Sequence, residues 1–377
     1  MFRRLSLPSL VWLMACGPLT PPPTGGGGGV ESVGGGAGGG DATTGGGGGG
    51  ETAGGGSAGG GSGTGGGAAG GGAGLGGLTW STMAIQGGSA TGFIRALSGA
   101  SGDLWALHTA GGLFRATDGG FVHQFTFTGG VRDLYASGGT QVVVQNRAIR
   151  TCTSGCSVET AWDRFDLLGG SLNHDGLAVC GVGVTRIVVV ASNVSYDGVL
   201  FEWDGSDWAQ TNANIGIKSP QRCWFDDAGG LYVSGEGGAV FLDGQSSTPI
   251  VLGTSANSFT GGATVDGVSW LVGGSHFIAR GTTTSLTQLT APGASSVLLS
   301  AAGGTSGDAV FLLGGYAHSN GVGPGYFWNG TQLVKVGDAL PGMRAQSGVY
   351  SVLAVSPSEL YLAGTNGSTP VVLRGRK

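Results

Sequence analysis

Residues 198–208 read GVLFEWDGSDW. Val199, Leu200 and Phe201 form an apolar run that opens on a β-branched residue, the composition of a strand. Asp204-Gly205 follows, a pair that tolerates the positive φ of a tight hairpin turn. Trp208 begins the returning strand. The unit is strand, turn, strand. Looser copies stand at 240–244 (VFLDG), 326–330 (YFWNG) and 113–120 (LFRATDGG). That recurrence decides the fold.

Working outward, short β-rich runs lie at 104–107, 142–144, 187–190, 231–233, 270–272, 310–313 and 360–362. Each is followed by a turn rich in Gly, Asn or Ser. A second run comes next, at 113–114, 148–149, 199–201, 240–242, 277–278, 326–327 and 371–373. Another apolar segment precedes several of the first runs, as at 94–97, 177–180, 297–299 and 352–355. No window keeps a helical period between caps. Units of about 40–45 residues with three or four strands each predict an all-β chain folded as a β-propeller of seven blades. Six or eight blades, or a pair of β-sandwiches, are the competing architectures.

The ends of the folded part sharpen this reading. The last unit stops after 371–373 and lacks an outer strand. The folded part opens with LTWSTMAI at 78–85, which is similar to the outer-strand segment WAQT at 208–211. An N-terminal strand completing the last blade closes the ring without a covalent bond and protects its edge.

The domain plan follows from composition. Residues 1–16 carry Arg3 and Arg4 before an apolar stretch too short for a membrane span, the layout of a signal peptide. Residues 17–77 form a Pro- and Gly-rich linker with almost nothing to bury, so disorder is expected there. At about 5–6 Å × √n, such a tether spans on the order of 40–45 Å. Residues 78–377 are the propeller domain. Without Arg3 and Arg4 the chain keeps 15 basic against 22 acidic side chains, a net charge of −7. Nothing in that balance neutralises phosphates, so no nucleic-acid partner is expected. A monomer is expected.

Leu13-Met14-Ala15-Cys16 resembles the lipobox of bacterial lipoproteins, in which the cysteine is acylated and becomes the N-terminus. The resemblance implies lipidation at Cys16, with each buried CH₂ contributing about 0.8 kcal/mol to membrane binding. Gly17 stands where an aspartate would favour the inner membrane, so it implies an outer-membrane lipoprotein of the cell envelope. An ordinary cleaved signal is the alternative. Residues 111–123 (GGLFRATDGGFVH) resemble a degenerate Asp-box, with Asp118 and Gly120 in place, Ala116 for the usual Ser and His123 for the usual Trp. That box marks turns in the repeats of bacterial neuraminidases and of photosystem II stability-factor-like propellers. It implies a structural turn, not a catalytic one. The whole chain resembles propeller lipoproteins of Gram-negative bacteria.

Four cysteines remain after Cys16, an even number in an exported chain. Of three possible pairings, Cys152 with Cys156 and Cys180 with Cys223 is preferred. The first closes a small loop over Gly155, and the second bridges comparable positions of neighbouring units. The spacing fits no zinc signature, the Asp-Gly pairs lack the alternating ligands of a calcium loop, and no metal or cofactor is expected. The histidines, His108, His123, His174, His276 and His318, stand in no ligating pattern. No Gly-x-Ser-x-Gly elbow occurs. A sialidase-type hydrolase, the enzymatic alternative, needs clustered arginines, a tyrosine nucleophile and an acid. Residues 92–95 (GFIR) approach its Arg-Ile-Pro segment but lack the proline. Trp80, Trp105, Trp203, Trp208, Trp224 and Trp270 fall inside strand patterns and suit packing between blades.

Connections longer than a scaffold needs are where function concentrates. Three stand out, at 151–175, 192–197 and 316–325, and all three are expected on one face. They hold Trp162, Tyr196, Tyr316 and His318, the candidate ligand-binding residues. Aromatic side chains suit a peptide or a sugar ring, because they bury area at little entropic cost. The expected function is therefore non-catalytic binding or scaffolding of a protein or glycan at the cell envelope, by a domain tethered to the membrane.

Overall fold

The computed structural model of the chain describes residues 75–377 except 170, 171, 174, 213, 245, 251, 253–257, 275, 294–297, 316–323, 337, 338 and 344–346. The signal segment, Cys16 and the linker as far as residue 74 lie outside the described residues.

Seven antiparallel sheets form a β-propeller. From the axis outward, blade 1 is Ile94–Ala100, Asp103–His108, Gly112–Thr117 and Gly120–Thr126. Blade 2 is Val131–Ser137, Thr140–Gln145, Ala148–Cys152 and Asp163–Asp166, and blade 3 is Asp175–Val182, Arg186–Ser192, Gly198–Trp203 and Trp208–Asn212. Blade 4 is Lys218–Phe225, Leu231–Glu236, Gly238–Asp243 and Ser246–Ile250. Blade 5 is Phe259–Val265, Val268–Gly273, Phe277–Thr282 and Ser285–Gln288, and blade 6 is Leu298–Ser306, Ala309–Gly315, Gly325–Trp328 and Leu333–Lys335. Blade 7 takes Ser347–Ser356, Glu359–Asn366 and Thr369–Arg376 from the end of the chain and Thr79–Met83 as its outer strand. The opening segment then runs on to pair Ile85–Gln86 parallel to the outer strand of blade 1.

The apolar runs are continuous rather than alternating because each sheet is covered on both faces. In the second strand of blade 2, Val143 packs toward blade 1 while Val142 and Val144 pack toward blade 3. Among the described residues the buried apolar side chains gather into seven clusters, one at each interface between neighbouring blades. Small residues let the sheets approach. A Cβ on Gly181 would stand 2.7 Å from the ring of Tyr135, and one on Gly262 would run into Trp224.

The tight turns work as the opening stretch predicts. Asp204 Oδ1 accepts the amides of Ser206 and Asp207 at 2.8 and 2.9 Å. Asn329 does the same for Thr331 and Gln332 in blade 6, at 3.1 and 2.9 Å. These backbone donors also hold the Asp204 carboxyl below the ordinary range of an aspartate.

Every inner strand carries a bulge near its start. The pairing skips Arg95, Arg132, Leu177, Thr260, Ser300 and Tyr350, and in blade 4 it skips both Ser219 and Gln221. A bulge bends its strand and re-aims side chains. It also presses inner-strand backbone against the second strand, which is why that strand ends in glycine in several blades. A Cβ on Gly314 or Gly364 would run into the carbonyl of Leu298 or Gly348. LYVSG, SWLVG, VFLLG and LYLAG therefore end on Gly235, Gly273, Gly314 and Gly364 for the same steric reason.

Closure rests on the N-terminal segment. Thr79–Met83 pairs antiparallel with Thr369–Arg376, Thr82 opposite Leu373. Leu78 is fully buried among Phe311, Phe327, Leu360 and Leu373. Trp80 meets Phe311 edge-on at 5.5 Å. Leu78→Ala should therefore cost about 2–5 kcal/mol in chemical denaturation. Val158→Ala, at a side chain 53% exposed, should cost less than about 0.5 kcal/mol. Equal, small losses at both positions would mean that the N-terminal segment is not part of the ring.

Candidate functional site

Strand direction assigns the loops to two faces. The outer-to-inner connections and the second-to-third turns share the upper face. The inner-to-second and third-to-outer turns share the lower face.

Tyr196 lies in the second-to-third turn of blade 3, on the upper rim, with 66% of its surface exposed. Its φ of 62° is the left-handed region that a bulky residue adopts only under constraint. The constraints are visible. Asn193 Oδ1 accepts the amides of Ser195 and Asp197 at 2.8 and 3.0 Å. The Tyr196 carbonyl accepts the amide of Ser219, itself at φ 40° in the bulge of blade 4. Lys218 Nζ bonds the Ser195 carbonyl at 3.1 Å and Asp197 Oδ1 at 2.5 Å. The Lys218 bond holds the Asp197 carboxyl below the ordinary carboxylate range. Val194, two residues before the tyrosine, is 57% exposed. The loop thus presents an aromatic ring on a fixed backbone.

Trp162 does not join it. Residues 151–175 are not one long connection, because Asp163–Asp166 is the outer strand of blade 2. The long part, 153–162, is a third-to-outer turn and belongs to the lower face. Trp162 is buried there at 5% exposure, packed on Phe127 at 5.0 Å, with its Nε1 donating to the Cys156 carbonyl at 3.2 Å. The Cys152–Cys156 disulfide folds the turn back and seats the indole between blades 1 and 2. Trp162 is therefore a core residue, not a ligand contact. Tyr316 and His318, like Cys16, lie outside the described residues.

The second disulfide joins Cys180 to Cys223, inner-strand residues of blades 3 and 4, across 5.7 Å between Cα atoms. Both cysteines line a cavity of about 270 Å³ on the ring axis. Inner strands of all seven blades contribute to its wall. Neighbouring blades also meet there through single hydrogen bonds. Ser351 accepts the Leu97 amide at 3.0 Å, Ser98 the Ala136 amide at 2.8 Å, and Asp133 Oδ2 the Val179 amide at 3.1 Å.

The cavity wall is charged on one side. Arg95, Asp133 and Arg222 line it from blades 1, 2 and 4. Arg222 Nη1 stands 3.3 Å from Asp133 Oδ2. Arg95 Nε donates to the Arg132 carbonyl at 2.5 Å. Blades 5 and 6 present Gly261, Gly262, Ser300, Ala301 and Ala302, which leave the space open. At one side Tyr350 stacks on Phe93 with ring centroids 4.2 Å apart. The sequence reading did not single out Asp133 or Arg222. A signal was present, in that FIRAL, VRDLY and QRCWF place arginine at the start of three inner-strand runs. Among the described residues no three His, Cys, Asp or Glu side chains gather where they could hold a metal. His108 is a packed side chain whose Nδ1 accepts the Ala110 amide at 3.0 Å, and burial lowers its pKa.

No family model matches the chain, and no curated protein matches it in sequence. Solved structures match its shape. YCF48 bound to D1 peptide superposes with a TM-score of 0.59 at 14% identity, over 80% of this chain and 95% of that one. A catalytically inactive virginiamycin B lyase from Staphylococcus aureus, crystallised with quinupristin, gives 0.58 at 11% identity, over 80% and 99%. The extracellular domain of a one-component system, BT4673, from B. thetaiotaomicron gives 0.59 at 10% identity, over 78% of this chain and 40% of that one. At such identities the likeness is one of fold.

Proposed function

We propose that this chain is a tethered, non-catalytic binding protein of the cell envelope, and that its upper face takes an extended segment of a protein partner. The observation that carries this reading is Tyr196. Its side chain is exposed, its backbone strained, and its loop held by five hydrogen bonds, two accepted by Asn193, two donated by Lys218 and one donated by Ser219. Strain of that kind costs on the order of 1–3 kcal/mol and persists only where surroundings impose it. A ring already fixed loses little entropy when a ligand covers it. The fold neighbours include one solved with a bound peptide and one that is the extracellular domain of a one-component system, which supports a binding role.

The two disulfides are what an oxidising, extracytoplasmic compartment allows. Among the described residues no helix is long and apolar enough to cross a membrane. Membrane attachment in this reading comes from Cys16, acylated in the manner of an outer-membrane lipoprotein, through the linker of residues 17–77. A glycan ligand at the same rim is the alternative occupant. A sialidase-type hydrolase is the enzymatic one, and the arginines of the channel are the part of such a site that the chain possesses.

Two experiments test this. Cys16→Ala should move the protein from the membrane fraction to the soluble fraction of fractionated cells, and retention in the membrane would contradict the anchor. For the face, the full chain and its Tyr196→Ala variant are compared on an array of envelope-protein peptides and on a glycan array. Peptide affinity should fall by about 2 kcal/mol or more, the loss expected of a buried aromatic anchor. The melting midpoint should hardly change, since exposed positions shift stability by less than about 0.5 kcal/mol. Equal binding by both proteins would overturn the rim as the binding element. Release of sugar from a sialoside would overturn the non-catalytic reading.

A further inference from the structure

The charged side of the channel is unbalanced. Among the described residues that line the cavity, Arg95 and Arg222 face a single carboxylate, Asp133. Arg132 lies one residue before Asp133 and adds a third positive charge near Arg95. This happens in a chain whose net charge is −5. An acidic protein has placed an excess of guanidinium in a partly enclosed channel, where like charges repel more strongly than in water.

Asp133 offsets only part of that excess. Its Oδ1 accepts the Leu134 amide at 3.0 Å and its Oδ2 the Val179 amide at 3.1 Å, with Arg222 Nη1 as a further neighbour at 3.3 Å. The carboxylate is thus shared between the joint of blades 2 and 3 and the Arg222 guanidinium. Arg95 spends its Nε on the Arg132 carbonyl, and its two Nη groups make no hydrogen bond among the described residues. The bulge sets this arrangement, since Arg95 is the unpaired residue of its inner strand and projects into the channel rather than between blades. Burial and the nearby Arg222 lower the Arg95 pKa by more than Asp133 raises it, the direction expected of a cation whose counter-charge is only partial.

We infer that the upper channel is an oxyanion site, in which the free Nη edge of Arg95 and the guanidinium of Arg222 together hold one carboxylate or phosphate group of a ligand. The planar fork of arginine matches either group through two parallel hydrogen bonds. The small residues of blades 5 and 6 leave room opposite, in a cavity of about 270 Å³ that admits a single such group with its first substituents. Asp133 then acts as an internal competitor that weakens the site and keeps it from filling with any passing anion. The site does not require the rim reading, because it involves neither Tyr196 nor its loop.

The test titrates the purified full chain with inorganic phosphate and, separately, with acetate, at constant ionic strength, following the melting midpoint and the arginine side-chain NMR signals. A saturable response is expected, and the anion that saturates at the lower concentration identifies the group the site prefers. Arg95→Gln and Arg222→Gln should each weaken binding about tenfold or more, the size of one charge-assisted hydrogen bond. Arg95→Lys should fall between, since it keeps charge and loses the fork. Asp133→Asn should tighten binding. If the loss of its amide contacts prevents folding, Arg95→Gln still decides the matter. Arg164→Gln, at an exposed arginine paired with Asp166 outside the channel, should change nothing. A response that does not saturate, or that survives Arg95→Gln and Arg222→Gln intact, would overturn the site.

Discussion

A four-stranded blade whose second strand is apolar on both sides is not stable alone. Val142, Val143 and Val144 are all fully buried, yet they point toward two different neighbours. Each sheet therefore needs a sheet on either side, and a row of such sheets ends only by meeting itself. The strand Thr79–Met83 supplies that meeting, adding an outer edge to a blade built from the other end of the chain. Deep burial of Leu78 and the contact of Trp80 with Phe311 then tie the same segment to blade 6. Everything else, including the position of the channel, depends on that closure.

Closing the ring forces the inner strands together around one axis, and the bulges follow. Each inner strand bends near its upper end. The bend lifts one residue per blade, and two in blade 4, out of the ladder and gives the upper face its chemistry. In blade 1 that residue is Arg95, in blade 4 Ser219 and Gln221, in blade 7 Tyr350. Ser219 in turn holds Tyr196 through its amide. One geometric feature, repeated around the ring, thus connects the channel residue Arg95 with the rim tyrosine. On the lower face the inner strands of blades 6 and 7 bulge again near their ends, skipping Thr305 and Val355, and the long turn in blade 2 is spent on packing Trp162.

Much of the architecture was legible in the residues. The runs at 104–107, 142–144 and 310–313 announce second strands because double-sided burial leaves them wholly apolar. The closing strand was legible through the similarity of 78–85 to an outer strand, and both disulfides through the even count and the positions of Cys180 and Cys223. Trp162 was misplaced for a physical reason. The outer strand Asp163–Asp166 (DRFD) lies at a solvated edge, with three of its four residues exposed, so it carries no apolar signal and disappeared into an apparent loop. The channel site was hidden differently. A bulge adds one residue without altering composition, so nothing in FIRAL says that Arg95 leaves the ladder. The glycines that end LYVSG, VFLLG and LYLAG do mark the bulges, but only once their clash with the inner strand is seen.

The most direct measurement is amide hydrogen exchange along the closing strand. If Thr79–Met83 is an integral part of the ring, its ladder amides open only with the whole domain. They should then exchange at the rate of the buried second-strand amides in Glu359–Asn366, with the same dependence on denaturant. Exchange many-fold faster, unaffected by denaturant, would show that the strand frays independently, and a ring closed by it could not stand.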